Sequence, residues 1–243
     1  MMRSARALAL GLACLACGCH TRRKPRSLQL PAVMVWAWER SEDLAFVDAH
    51  RTGVAFLAGT AVIRTNGSVV FRWRTQALKL APGVAVLPVV RIESPPVHAP
   101  VRAEPLLAAL QGVANQPGVR GLQIDFDARR SERAFYRALL AGLQQRTSAA
   151  ISITALASWC EGDRWLDGQP VDEAVPMFFR MGRGESRDMR VKSGVCRAAI
   201  GLSTDEPWPI QRATGTQRIY LFNPRAWTPE EYNRAMRRLE DWK

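Results

Sequence analysis

The residues that carry the most chemistry form one short run, Gly121-Leu122-Gln123-Ile124-Asp125-Phe126-Asp127. Its alternation puts Gln123, Asp125 and Asp127 on one face of an extended segment. Buried polar side chains are costly unless hydrogen-bonded. Two carboxylates on one face also repel, which raises the pKa of one and leaves it a proton to donate. Other apolar runs end in further polar and aromatic residues: Trp36, Trp38 and Glu39; Arg91 and Glu93; Thr154, Ser158 and Trp159; Arg180; Ser203 through Glu206; Asn223 and Arg225. Carboxylates beside tryptophans suit carbohydrate chemistry. Glycosidic cleavage needs a protonated carboxyl at the leaving oxygen and a second group facing the anomeric carbon. Tryptophan faces stack on sugar rings with few rotors to freeze.

On this reading Asp127 is the general acid, Asp125 tunes it, and Glu39 is the second carboxylate, with Glu93 or Asp205 as substitutes. Trp36, Trp38, Arg91, Glu93, Trp159, Arg180, Asp205 and Asn223 are candidate substrate-binding residues. Plainer roles stand beside these. Asp125 and Asp127 could be structural carboxylates bound by Arg91 or Arg180. Either Trp36 or Trp38 could plug the interior. Ser203–Trp208 reads equally as a capped turn.

The elements that must position these residues are legible as eight continuous apolar runs: Val33–Trp38, Val54–Leu57, Ala85–Val90, Leu122–Phe126, Ile151–Ala155, Ala174–Phe179, Ala199–Leu202 and Ile219–Phe222. Continuous runs are the pattern of strands buried on both faces in a parallel sheet. Eight of them predict an α/β fold, a compact (β/α)8 TIM-like barrel with chemistry at the C-terminal strand ends. Helices are predicted over Glu104–Ala114, burying Leu106, Leu107, Leu110 and Val113, and over Ser131–Arg146. The second has a Ser cap and buries Phe135, Ala138, Leu139 and Leu143. A third follows Thr228-Pro229-Glu230-Glu231, with Tyr232, Ala235, Met236 and Leu239 on its apolar face. Residues 60–80, with Thr65-Asn66-Gly67-Ser68, predict a β-hairpin insertion in place of the second helix. The fifth and sixth units have only short crossovers. An incomplete barrel or an open doubly wound sheet is the alternative. No glycine-rich phosphate loop follows any strand, which counts against a nucleotide-binding sheet.

Composition sets the class. The chain has 243 residues, 47% hydrophobic and 23% charged, with a formal net charge of +12. That excludes a disordered chain, and the lack of a long apolar run after residue 30 excludes a polytopic membrane protein. Residues 1–19, MMRSARALALGLACLACGC, read as a secretory signal with a basic start at Arg3 and Arg6. Residues 20–30 read as a basic linker, and 31–243 as the barrel domain. Two positive charges lie in residues 1–18 and four in the tail, so the folded part keeps +6. No basic surface interleaved with aromatics marks nucleic-acid binding. Of five Cys, only Cys160 and Cys196 lie beyond the signal. An oxidising compartment favours their disulfide, although one follows a strand end and the other precedes a strand start. His50 and His98 lack ligand spacing, so neither a metal nor a cofactor is expected.

Several of these segments resemble known families. Leu15-Ala16-Cys17-Gly18-Cys19 resembles a bacterial lipoprotein signal, which implies a lipid on Cys19, or on Cys17. It also implies a membrane-anchored protein on the periplasmic side of a bacterial envelope. The fourth run resembles the fourth strand of the family 18 chitinases. Asp127 stands there in the place of the acid Glu, Asp125 in that of the supporting Asp, and Gln123 in that of another Asp. Val175–Arg180 resembles their sixth strand, with Phe179 and Arg180 where those enzymes have Tyr and Asp. More broadly, Val35–Arg40, Gly53–Leu57, Gln123–Ala128, Ser152–Cys160, Gly201–Pro207 and Tyr220–Pro224 resemble the bacterial domain-of-unknown-function family 3142. That family is grouped with glycosidase-like barrels. These resemblances imply a monomeric lipoprotein acting on a polysaccharide or cell-envelope glycan. The alternative is a glycan-binding or envelope-assembly protein on a degenerate glycosidase barrel.

Overall fold

The computed structural model describes residues 25–95, 100–181, 190–210 and 214–242. Cys17, Cys19 and His98 lie outside them. Eight strands, all parallel, close a barrel. In order they are β1 (Val33–Ala37), β3 (Thr52–Ile63), β6 (Val86–Glu93), β7 (Gly121–Asp125), β8 (Ala150–Leu156), β9 (Glu173–Met177), β10 (Ala199–Ser203) and β11 (Arg218–Phe222). Pairing of β1 with both β11 and β3 closes the ring. The chain is a (β/α)8 TIM-like barrel, as the eight runs predict.

Among the described residues four α-helices flank it: α1 (Ala103–Ala114), α2 (Arg133–Arg146), α3 (Ala157–Glu161) and α4 (Pro229–Asp241). The predicted faces of α1 and α4 are the buried ones, and Thr228 caps α4 by accepting the Glu231 N–H. The face of α2 differs. It buries Tyr136, Leu139, Leu140 and Leu143, while Phe135 is half-buried and Ala138 exposed. A 3-10 turn over Arg130–Glu132 delays the helix, and the Glu132 carboxylate takes the Arg129 N–H, so Ser131 is not the cap. Starting later rotates the buried face by about one residue, toward the bulkier Tyr136 and Leu140.

The second unit has a hairpin in place of a helix. β3 runs well past Leu57, through a bulge between Leu57 and Gly59, and turns back as β4 (Val69–Trp73). Gly67 sits at φ 76° in the Asn-Gly turn, the region a side chain disfavours. Two short strands, β2 (Glu42–Leu44) and β5 (Leu78–Leu80), pair beside it.

Inside the barrel, register makes a polar layer. Gln123 pairs with Ser152, and Ser152 with Glu173, so three polar residues sit side by side on β7, β8 and β9. Gln123 donates to Ser152 Oγ at 3.1 Å, Ser152 Oγ to Glu173 Oε1 at 2.9 Å, and Tyr220 Oη to the same oxygen at 2.8 Å. Arg218 pairs with the other carboxylate oxygen. Trp36 donates from Nε1 to Gln123 Oε1 at 2.8 Å and stacks on Tyr220 with centroids 5.1 Å apart. It is the plug of the barrel, only 3% exposed. A Cβ on Gly201 would lie 2.9 Å from its ring, so the indole needs glycine there.

The bottom is closed by the end of the segment assigned to the linker. The Arg26 backbone N–H donates to Asp172, and its side chain donates to the carbonyls of Ala149 and Gln144. Leu28 and Leu30 pack beneath the interior cluster, and Arg218 donates to the carbonyls of Leu28, Leu30 and Pro31. Arg26, Leu28 and Leu30, which composition places in the linker, thus find partners in the barrel.

Cys160 and Cys196 form a disulfide with Cα atoms 5.9 Å apart. Ahead of β10, Lys192 and Ser193 donate to the Cys160 carbonyl, which brings Cys196 beside the end of α3. That resolves the conflict between a strand end and a strand start.

Glu173→Ala would strand Arg218 and Tyr220 without their shared acceptor. It is expected to lower unfolding free energy by about 3–5 kcal/mol in urea titrations. Gly201→Ala should cost about 1–3 kcal/mol by forcing the indole off its seat.

Candidate functional site

One layer above the polar floor, β6 and β7 place Arg91 opposite Asp125. The strand ends open into a hollow of about 500 Å³. Trp36 forms part of its floor. Trp38, Glu39, Arg91, Asp125, Asp127 and Arg180 stand around it, with Phe179 and Phe222 as an aromatic wall. Phe179 and Phe222 are stacked with centroids 5.5 Å apart and planes 4° from parallel. A second hollow of about 520 Å³ opens on the far side of the same aspartates, against Glu93, Ser94 and Arg129. Both are in the range of small-molecule sites.

The two aspartates differ in setting. Asp125 is nearly enclosed. Its carboxylate accepts a 2.7 Å bond from Thr154 Oγ1, and Arg91 Nε lies 4.0 Å away. Burial pushes its pKa up to about 6. The charges of Asp127 and Glu39 push the same way, while the Thr154 bond and Arg91 oppose them. Asp127 follows the strand at a tight turn, across which the Ala128 N–H donates to the Phe126 carbonyl. It is an exposed residue facing both hollows, yet partial burial of its carboxyl raises its pKa, and Arg91 opposes this. The local reason is the sequence alternation: Leu122, Ile124 and Phe126 pack outward beneath α1 and α2 and leave the carboxylates inside.

Of the candidate residues, Asp125, Asp127, Glu39, Trp36, Trp38, Arg91 and Arg180 are brought together. Glu93 lines the second hollow, tied to Arg72 at 3.3 Å and Arg91 at 3.6 Å. Three others lie elsewhere. Trp159 is buried in the wall, edge-on to Trp165 at 5.0 Å, because its strand turns into α3 and carries the ring outward. Asn223 is buried and donates to Glu231 and to the carbonyls of Arg225 and Ala226, so it shapes the turn before α4. Asp205 accepts from Ser203 Oγ at 2.5 Å and lines neither hollow, which matches the capped-turn alternative.

Other contributors were not singled out from sequence. Arg40 donates to the carbonyls of Asn223 and Pro224 and to Glu42, fastening the first strand end to the last. Glu42 is buried and also accepts the Trp227 N–H. Phe222 and Met177 are inward residues of β11 and β9 whose two-residue spacing from Tyr220 and Val175 was the available signal. Among the described residues, no group of three or more His, Cys, Asp and Glu could hold a metal ion.

Fold and site together define a barrel with a carboxylate pair at its C-terminal mouth. Comparison with family models, curated protein sequences and solved structures found no match to this chain.

Asp125 is held protonated more readily folded than unfolded. Its share of stability is therefore full below about pH 4 and is lost as pH rises through about 6. Asp125→Asn is expected to be more stable than the parent at pH 8, on the order of 3 kcal/mol from the size of that shift. The gain should vanish near pH 3.5. Chemical denaturation at the two pH values measures it.

Proposed function

We propose that this protein is a lipid-anchored, extracytoplasmic glycoside hydrolase. Asp127 gives its proton to the glycosidic oxygen as the bond to the anomeric carbon breaks. Asp125, behind it, shares the negative charge and keeps the pair partly protonated near neutral pH. Glu39 faces the positive charge that develops on the sugar. Water adds to the anomeric carbon and its proton restores the acid. The single observation that carries this reading is the enclosed Asp125, its pKa raised to about 6, next to an Asp127 that opens onto two hollows. Such shifted carboxyl groups in a cleft cluster at functional sites. The aromatic wall beside them suits a sugar ring. The lipid anchor rests on the signal-like segment ending at Cys19.

A second reading, glycan binding without turnover, has its own observation. The sixth strand ends in Phe179 and Arg180 where chitinases carry Tyr and Asp. A third reading, an envelope-assembly protein on the same degenerate barrel, is the one in which no glycan binds.

A reducing-end release assay over peptidoglycan, β-glucans, N-acetylglucosamine polymers and exported polysaccharides tests the hydrolase. Asp127→Asn should lower the rate about 10²–10⁴-fold while keeping affinity. The rate should fall on the alkaline side as the two carboxyl groups, both raised above the usual aspartate value, lose the shared proton. Binding with no release from the parent protein would establish the second reading instead.

A further inference from the structure

Among the described residues, the aromatic side of the mouth carries a cation that no salt bridge pairs. Arg180 lines the first hollow, and its guanidinium lies over the Phe222 ring at 5.1 Å from the centroid. Among the described residues no carboxylate pairs with that guanidinium. The other mouth arginines are engaged. Arg40 holds Glu42 and two carbonyls, Arg91 faces Glu93 and Asp125, and Arg129 holds Glu132 and the Ser94 carbonyl.

The backbone adds a second, independent observation. Arg180 has φ 53°, the one described non-glycine residue in the left-handed region. Glycine or asparagine would hold that conformation at lower cost. Strained residues of this kind persist where the surrounding structure holds them, and they cluster at ligand sites. Here the Arg180 N–H is held by Glu206 at 2.9 Å, and the strained turn delivers the guanidinium to the rim beside Phe179 and Phe222.

We propose that Arg180 is a specificity residue for an acidic sugar, one whose ring lies on the Phe179–Phe222 wall and whose carboxylate meets the guanidinium. The inference rests on the glycan reading above and names its substrate class: a uronate-type polymer. A carboxylate matches the planar donor fork of arginine. One unpaired cation balances one negative charge. A phosphate, nearly a dianion, would call for a second free cation, and the described residues of the two hollows offer none besides Arg180. Because the two hollows meet at Asp125 and Asp127, the acidic unit sits to one side of the bond that is cut.

The test is binding to the full chain by calorimetry. The probes are oligogalacturonate and a hyaluronan oligosaccharide, each beside its carboxyl-reduced counterpart of equal length. Chitooligosaccharide and a β-glucan oligosaccharide serve as neutral probes. An acidic oligomer is expected to bind about tenfold or more tightly than its reduced form. Arg180→Gln and Arg180→Gly should abolish that preference, and Arg180→Lys should keep part of it. Arg180→Gly should also melt at an equal or higher temperature, which separates lost recognition from lost folding. Equal binding of acidic and neutral oligomers would overturn the inference and leave the glycan reading standing. A preference that survives in Arg180→Gly would also overturn it. No binding to any oligosaccharide would overturn both.

Discussion

A carboxylate without water organises this barrel. Glu173 is 2% exposed, and removing water from a charge is tolerable only where every lone pair finds a donor. Ser152 on β8, and Tyr220 and Arg218 on β11, supply them. Each donor is committed elsewhere in turn. Ser152 accepts from Gln123, which accepts from the Trp36 indole, and Tyr220 stacks under that indole. Register and identity are therefore coupled. A one-residue slip in any of these strands would point the polar group into the outer apolar layer and strand its partners.

This floor explains why the mouth can hold its charges where it does. Trp36 and the layer beneath it exclude water from below, so Asp125 is dry on one side and faces Thr154, Arg91 and Asp127 on the others. The same enclosure that makes ionisation of Asp125 costly makes its proton available near neutral pH. The site and the stability of the fold pull in opposite directions at this residue, a conflict expected at functional positions.

The architecture was legible because its signals are local. Eight apolar runs, the Asn-Gly turn and the capping sequence at Thr228 each declare themselves within a few residues. The cluster of Asp125, Asp127, Glu39, Arg91 and Arg180 followed once strand ends were known. What misled was direction at the end of a strand. Trp159 and Asn223 stand three residues and one residue beyond their extended segments, where the chain has already turned, so strand-end position did not mean mouth position. Glu173 lay one residue before the recognised sixth run and passed as part of the crossover. Its role depends on Gln123 and Ser152 lying beside it in register, which no single segment reveals. The α2 face shifted for a similar reason, since a short 3-10 turn leaves no compositional mark.

The bottom closure by Arg26, Leu28 and Leu30 has a directional consequence. The chain enters the domain under the N-terminal ends of the strands, and Arg218 fastens that entry to the underside of the polar floor. Anything that holds the polypeptide upstream of Pro25 therefore pulls on the pole opposite the mouth. Between Cys19 and Arg26 the chain spans at most about 25 Å when extended. If the proposed lipid on Cys19 carries the domain, the domain stands close to that surface with its carboxylates on the pole away from it.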